Sequence, residues 1–504
     1  GLTTDISNLN ITNHTGDVYI DEMDTNSTDG ITIAAMSGTA GSINITTAIN
    51  SISSSADLQY AGALNLNSAA DIDLSGINTF SGPVTLNAAN DITLTSVQNN
   101  LSGALDLTAA NITLNNSVAT NLSAVSAQNL TLVSNGDVID SGVIDVQNAG
   151  AGLANITSST GSVTLTGGDD DIDIINISAA NDATIDDVDG IAVDATNVGG
   201  ALQVTTGNAD TTNDLLVGSV TADSITLDAT DGGIFEIASN ASDVTANQIN
   251  LYAVDGIGGG SGVNYQVGDD FNNIDSTGAI RTRTASLTAE NINTTPGSGG
   301  VINIVNDRDV TINGLRNNND IVFQTQGDIE LFDSTVGTII GEGAIDAHYG
   351  GNVDDTVYYG SVAIQSTNNG NLTTTGVGPA PADITAENLY VAGVTDFGTE
   401  SQPIRLRVNN HFALVASQGA VTYVGNPPQI ITTPADFVLL VVQGVTGLSN
   451  QQLIDLETLG EVDPAIFTEV RNYNYDDIAI MLPADQRYTT PDEDEEEEKK
   501  KKQL

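Results

Sequence analysis

Apolar–polar–apolar triplets, separated by Asn, Asp, Gly and Ser, return along most of the chain. Leu64-Asn65-Leu66 comes back as Val84-Thr85-Leu86 and Leu105-Asp106-Leu107. Ile72-Asp73-Leu74 comes back as Ile92-Thr93-Leu94 and Ile112-Thr113-Leu114, and Val163-Thr164-Leu165, Ala183-Thr184-Ile185 and Leu202-Gln203-Val204 continue the beat. Alternation of this kind predicts strands with one buried face. The step between copies is about 20 residues, and a fixed period of that size with several short strands per unit signals a stacked-coil solenoid. The period of 3.6 expected of helices is absent, and Asn, Asp, Thr and Gly are poor helix formers.

A longer phrase marks the strand entries. It reads Thr108-Ala109-Ala110-Asn111-Ile112-Thr113-Leu114, then Ser126-Ala127-Gln128-Asn129-Leu130-Thr131-Leu132, Thr221-Ala222-Asp223-Ser224-Ile225-Thr226-Leu227 and Thr245-Ala246-Asn247-Gln248-Ile249-Asn250-Leu251. Thr288-Ala289-Glu290-Asn291-Ile292 and Thr385-Ala386-Glu387-Asn388-Leu389-Tyr390-Val391 read as later copies. The expected fold is all-β: a right-handed parallel β-helix of about 20 residues per coil, the hand following the rule for parallel crossovers, closed by a small mixed α/β C-terminal cap. About 20 coils stacked at ~4.8 Å predict a rod on the order of 100 Å.

The coils divide the chain. Residues 1–60 form less regular N-terminal coils, and 61–430 form the main β-helix, with inserted loops after residue 256. Near 430 the pattern changes. Ser449 opens an amphipathic turn, and Asp463-Pro464 starts a second helix with Pro at its first position. Residues 431–488 are therefore expected to cap the exposed last coil or to join it to another copy. Residues 489–504 are a run of acids followed by Lys499–Lys502, expected to be disordered. Gly1 carries neither an initiator Met nor a signal peptide, so a processed product or a fragment is expected.

Aromatic residues make up 4% of the chain and there is no Trp, so the core must consist of Ile, Val, Leu and Ala columns. No Cys is present, which rules out thiol chemistry and Cys-ligated metals. The net charge is −53, and no Lys or Arg occurs before Arg281. Nucleic acid is excluded as a partner, because nothing neutralises phosphates. No run approaches the ~20 apolar residues of a membrane-spanning helix. One column, Asp71, Asp91 and Asn111, should place carboxylates about 4.8 Å apart, and that corner is expected to stay hydrated or hold a cation.

Candidate chemistry is sparse. The acidic turns offer Asp169, Asp170, Asp171, Asp186, Asp187 and Asp189 as hard oxygen ligands for calcium, although the calcium nonapeptide and EF-hand spacings are missing. Other than Ca2+, no cofactor is expected. Two pairs of Arg, Arg281/Arg283 and Arg405/Arg407, stand at i,i+2 on predicted strands and so face one side. They either neutralise neighbouring Asp or form a contact patch for another copy. His348, near Asp346, Tyr349, Asp354, Asp355, Tyr358 and Tyr359, is the one histidine in a suggestive setting. Its insert is the place where a polysaccharide lyase or hydrolase would hold its machinery.

The phrase at 108–114, with Asn90-Asp91-Ile92-Thr93-Leu94, resembles coils of the filamentous-haemagglutinin type of bacterial exoprotein, over roughly residues 30–430. The segment from Val462-Asp463-Pro464-Ala465-Ile466-Phe467 to Arg487 resembles the C-terminal ends of such proteins. The resemblance implies secretion, a long right-handed β-helix and an adhesin or matrix fibre at the bacterial surface. It supplies no site, and the family's secretion domain and Asn-Pro motifs are not visible here. The expected function is an extracellular structural or adhesive rod without catalysis. It self-associates into fibres and contacts glycans or cell surfaces, and a polysaccharide-active enzyme is the alternative.

Overall fold

A computed structural model describes residues 2–3, 7–22, 30–207, 213–237, 243–259, 278–291, 293, 299–332, 343–348, 360–375, 382–415, 423–425 and 430–431. The fold is an all-parallel β-solenoid of about 16 turns with roughly 22 residues per coil, and the described residues contain no helix. The expected twenty or so coils are fewer because many are longer than the tightest repeats. In the second half Asp320 binds Ser361, 41 residues on, across an insert. Of the expected cap, 431–488, only Ile431 is described, in a strand paired with the preceding coil; the rest of it and the charged tail, 489–504, lie outside the described residues.

The chain forms two compact units. The first comprises residues 1–259, 277–293 and 298–307, and the second 260–276, 294–297 and 308–504. In the first unit the triplets stack as their spacing predicts. Leu64 pairs with Val84 and Val84 with Leu105, while Ile72, Ile92, Ile112, Leu130, Ala154 and Ile175 form one inward column. Alternation along Ala63–Ser68 and Val84–Ala88 buries every second side chain. Each fully buried Ile or Leu contributes on the order of 1.5–3 kcal/mol. A second column carries the few large rings, Tyr60 pairing with Phe80 and Phe80 with Leu101.

In the second unit Ile321, Val362, Leu389, Phe412 and Ile430 form a continuous column. There Phe412 packs 5.4 Å from Phe397 and 5.9 Å from Tyr423, ring centre to ring centre.

Polar side chains also belong to the interior, which the composition did not suggest. Asn78, Asn99 and Asn116 are buried at one corner of successive coils. Asn99 Oδ1 accepts from the Asn78 backbone N–H at 2.8 Å and from Asn78 Nδ2 at 3.1 Å. Its own Nδ2 donates to the carbonyls of Leu94 and Asn115, both at 3.1 Å. Asn116 repeats the arrangement, accepting from Leu101 N and donating to Leu101 O, Ala119 O and Thr120 Oγ1. These amides satisfy backbone groups that a turn would otherwise bury unpaired. At another corner Gly41, Gly62, Gly82 and Gly103 stack directly, and a Cβ on any of the last three would collide with the carbonyl of the glycine before it.

Two expectations need correction. The column of Asp71, Asp91 and Asn111 is open to solvent, as a hydrated corner requires, but its carboxylates are tied by hydrogen bonds rather than left to repel. Asp71 Oδ1 accepts from the Asp91 N–H at 3.3 Å and its Oδ2 from Ser51 Oγ at 3.3 Å. Asp91 Oδ1 accepts from Asn111 Nδ2 at 2.8 Å, and Asn111 Oδ1 from Asn129 Nδ2 at 2.8 Å. The second correction concerns Thr288, which pairs with Asn250 while Ile249 pairs with Leu287. Thr284-Ala285-Ser286-Leu287 is therefore the phrase in phase, and its Thr284 Oγ1 donates to Asn247 O at 3.0 Å.

Asn99→Ala leaves the Asn78 N–H and two carbonyls without partners. It is expected to destabilise the neighbouring coils by about 1–3 kcal/mol. Hydrogen exchange should show faster opening in peptides covering 72–120 and little change beyond 200.

Candidate functional surfaces

The first described acidic turn closes around Asp170, which is 1% exposed. Its Oδ1 accepts from the Ile144 N–H of the preceding coil at 2.8 Å, and its Oδ2 from Gly167 N at 3.3 Å. The Asp140 carboxyl lies within hydrogen-bonding reach of it, and Asp140 Oδ2 is buried with no other partner. Burial, and after it the Asp140 charge, push Asp170 up to about 7 against the opposing backbone N–H bonds.

Asp187 repeats the device one coil on. It is 4% exposed and accepts from Ile172 N at 2.9 Å and Asp189 N at 3.2 Å. Burial, followed by the Asp189 charge, pushes it up to about 8.

The six acids expected to bind calcium thus separate into different roles. Asp170 and Asp187 point inward to backbone N–H groups, Asp171 and Asp189 are half-buried, and Asp169 and Asp186 are exposed. Burial also raises Asp171, partly offset by a hydrogen bond from Gln147. Among the described residues no group of three or more acids and histidines is arranged to hold a metal ion. Nearby, Asp173 Oδ2 gathers three N–H groups, from Asn148, Gly150 and Gly152, at 2.8, 3.2 and 2.8 Å. Ala149 and Gly150, both at positive φ, curl that loop around the carboxylate.

Each Arg pair lies on one side of its strand, as expected. Arg281 and Arg283 are exposed on Ile280–Arg283 in the first unit. Arg283 Nη1 stands 3.5 Å from Asp307 Oδ2, with both side chains largely in solvent, so this pair adds little stability. Arg405 and Arg407 lie half-buried on Ile404–Val415 in the second unit. Arg405 grips Asp383, which is fully buried. Its Nε donates to Asp383 Oδ1 at 3.1 Å, Nη2 forms an ion pair with the same oxygen, and its backbone N–H donates to Oδ2 at 2.8 Å. Arg283 and Arg405 therefore face aspartates, the neutralising arrangement. His348 donates its backbone N–H to Asp346 Oδ1 at 2.9 Å. The rest of its suggested cluster, 349–359, lies outside the described residues, and so do the side chains of His14 and His411.

Sequence reasoning missed the most regular use of the acids. Asp57, Asp137, Asp182 and Asp214 each accept, at 2.8–3.0 Å, from the backbone N–H of a residue one coil later: Ile77, Ser162, Ala201 and Gly233. In the second unit Asp309 receives Asp328 N and Asp328 receives Asn371 N. The signal available was an Asp at the entry to a triplet, as in Asp182-Ala183-Thr184-Ile185.

Fold and surface together define a repeat β-helix protein. A family model described as repeats of unknown function (DUF5649) matches residues 15–87 and 75–108, the region of the most regular early coils. No curated protein matches the chain, and no solved structure does.

Two outcomes follow. Because the folded values of Asp170 and Asp187 lie above the ordinary carboxylate value, their protons stabilise fully below about pH 4. That contribution is lost as pH rises through 7 and 8. Exchange protection in 138–190, corrected for intrinsic rates, should be higher at pH 5 than at pH 8, and Asp170→Asn with Asp187→Asn should flatten the difference. Arg405→Ala strands the Asp383 carboxylate in the interior, and chemical denaturation should show a loss of about 3–5 kcal/mol, with Arg405→Lys losing less.

Proposed function

We propose that this protein is an extracellular structural and adhesive solenoid of a bacterial surface, acting by geometry and without catalysis. The observation that carries this reading is the in-register display of outward Asn, Thr and Asp columns on successive coils. Asn65 Nδ2 bonds Asn44 Oδ1 at 2.7 Å, Asn176 Nδ2 bonds Asn155 Oδ1 at 2.9 Å and Asn247 Nδ2 bonds Asp223 Oδ1 at 2.7 Å. Such bonded rows hold polar groups at a fixed pitch of about 4.8 Å, a surface suited to repeating partners such as glycans or a neighbouring copy. The charge of −53 supports the same reading. Like charges keep copies apart, and a divalent cation screens or bridges them.

The filamentous-haemagglutinin resemblance points in this direction as well, through the phrase at 108–114. Fibre formation would use the strand edges that every solenoid leaves at its ends. Negative-stain electron microscopy of the purified chain, with and without millimolar calcium, is the test. Filaments many times longer than one molecule are expected, more of them with calcium. Isolated particles in both conditions would argue against a self-assembling fibre subunit.

A further inference from the structure

One face of the first unit differs from the rest of its surface. The strands Ala201–Thr206, Ser224–Ala229, Gln248–Ala253 and Ser286–Asn291 stack in parallel on four successive coils. Two outward columns run across them. In one, Gln203 pairs with Thr226 and Thr226 with Asn250, so the column is uncharged and its members both donate and accept hydrogen bonds. Asn250 Nδ2 already donates to Thr226 Oγ1 at 3.3 Å, which fixes the amide in the plane of the column. In the other, Asp228 pairs with Tyr252 and Tyr252 with Glu290. A tyrosine ring thus stands between two carboxylates, the three residues spanning about 10 Å.

Asp228 is the unusual member. Its Oδ1 is buried and makes no hydrogen bond, and burial raises its carboxyl above the ordinary value. A buried acceptor without a donor is costly, and the backbone register sets this residue beside Tyr252.

We propose that Tyr252, Asp228 and Glu290, with the Gln203–Thr226–Asn250 column beside them, form a glycan-binding platform. This rests on the adhesive reading above and gives it a place and a ligand class. A sugar ring offers an apolar C–H face to the tyrosine and hydroxyls that donate to the two carboxylates. The adjoining amides and hydroxyls then serve further hydroxyls in either sense. A protonated polyamine carries donors only, so it reaches the carboxylates and the amide oxygens but leaves the amide N–H groups of the column without an acceptor. A bare metal ion lacks the three-acid group it would need among the described residues.

The experiment is affinity electrophoresis of the full chain in native gels containing xylan, dextran or hydroxyethylcellulose, repeated with spermine in the buffer. At least one polysaccharide should retard the wild type. Tyr252→Ala should weaken that retention about tenfold and Asp228→Asn by a smaller factor. Tyr19→Ala, which removes a ring that is 59% exposed elsewhere on the unit, should leave it unchanged. Circular dichroism confirms that each variant folds. Retention that survives Tyr252→Ala and Asp228→Asn overturns this platform while leaving the adhesive reading in place. No retention of the wild type by any of the three polysaccharides overturns the glycan ligand itself. Retention abolished by spermine without loss in Tyr252→Ala assigns the face to cations instead.

Discussion

Parallel backbone pairing of each coil with the next is the constraint on which everything else depends. Strands in register about 4.8 Å apart place equivalent residues directly above one another, so every choice at one position is repeated as a column. Inward columns must then be apolar, as Ile72, Ile92, Ile112, Leu130, Ala154 and Ile175 are. Turn columns must be small where coils meet closely, as at Gly62, Gly82 and Gly103. Outward columns become rows at a fixed pitch, and the proposed function is built on such rows.

The acidity of the chain also belongs to this stacking. Strand entries leave backbone N–H groups that the next coil does not always meet, and an Asp side chain reaches across to accept them, as Asp137 does for Ser162 and Asp182 for Ala201. A carboxylate accepting a backbone N–H needs no cation beside it, which is how the described coils before Arg281 form without a single Lys or Arg. Where such a carboxyl is itself buried, as at Asp170, the Ile144 and Gly167 N–H groups meet it, and burial raises its pKa. The second unit has cations available and uses one directly, Arg405 on Asp383.

Much of the fold was legible because the triplets carry period-two alternation, so Leu64, Val84 and Leu105 could be aligned by spacing alone. The phrase at Thr288 misled because Thr-Ala occurs twice within six residues, at 284–285 and 288–289. Register there follows the inward Leu287 rather than the phrase. The buried Asn78, Asn99 and Asn116 were hidden because asparagine reads as turn surface and its spacing here is uneven. The Asp caps were hidden for a related reason: in a chain with 65 acids, an acid that binds a backbone N–H looks the same in sequence as one that faces water. The column through Tyr252 was not legible without the register, since Asp228, Tyr252 and Glu290 come together only when Ile249 is set against Leu287.

The central claim is the register itself, because the columns, the caps and the outward rows all follow from it. The chain contains no cysteine, so paired cysteines report register without background. Thr164 and Thr184 are outward neighbours on adjacent coils, and Gln203 stands one coil farther on, paired with Thr184. A disulfide needs Cα atoms within about 4.4–6.8 Å. Mild oxidation should therefore crosslink the Thr164→Cys, Thr184→Cys protein readily and leave the Thr164→Cys, Gln203→Cys protein reduced. Equal crosslinking of both, or crosslinking only of the second, would contradict the stacking from which the rest is derived.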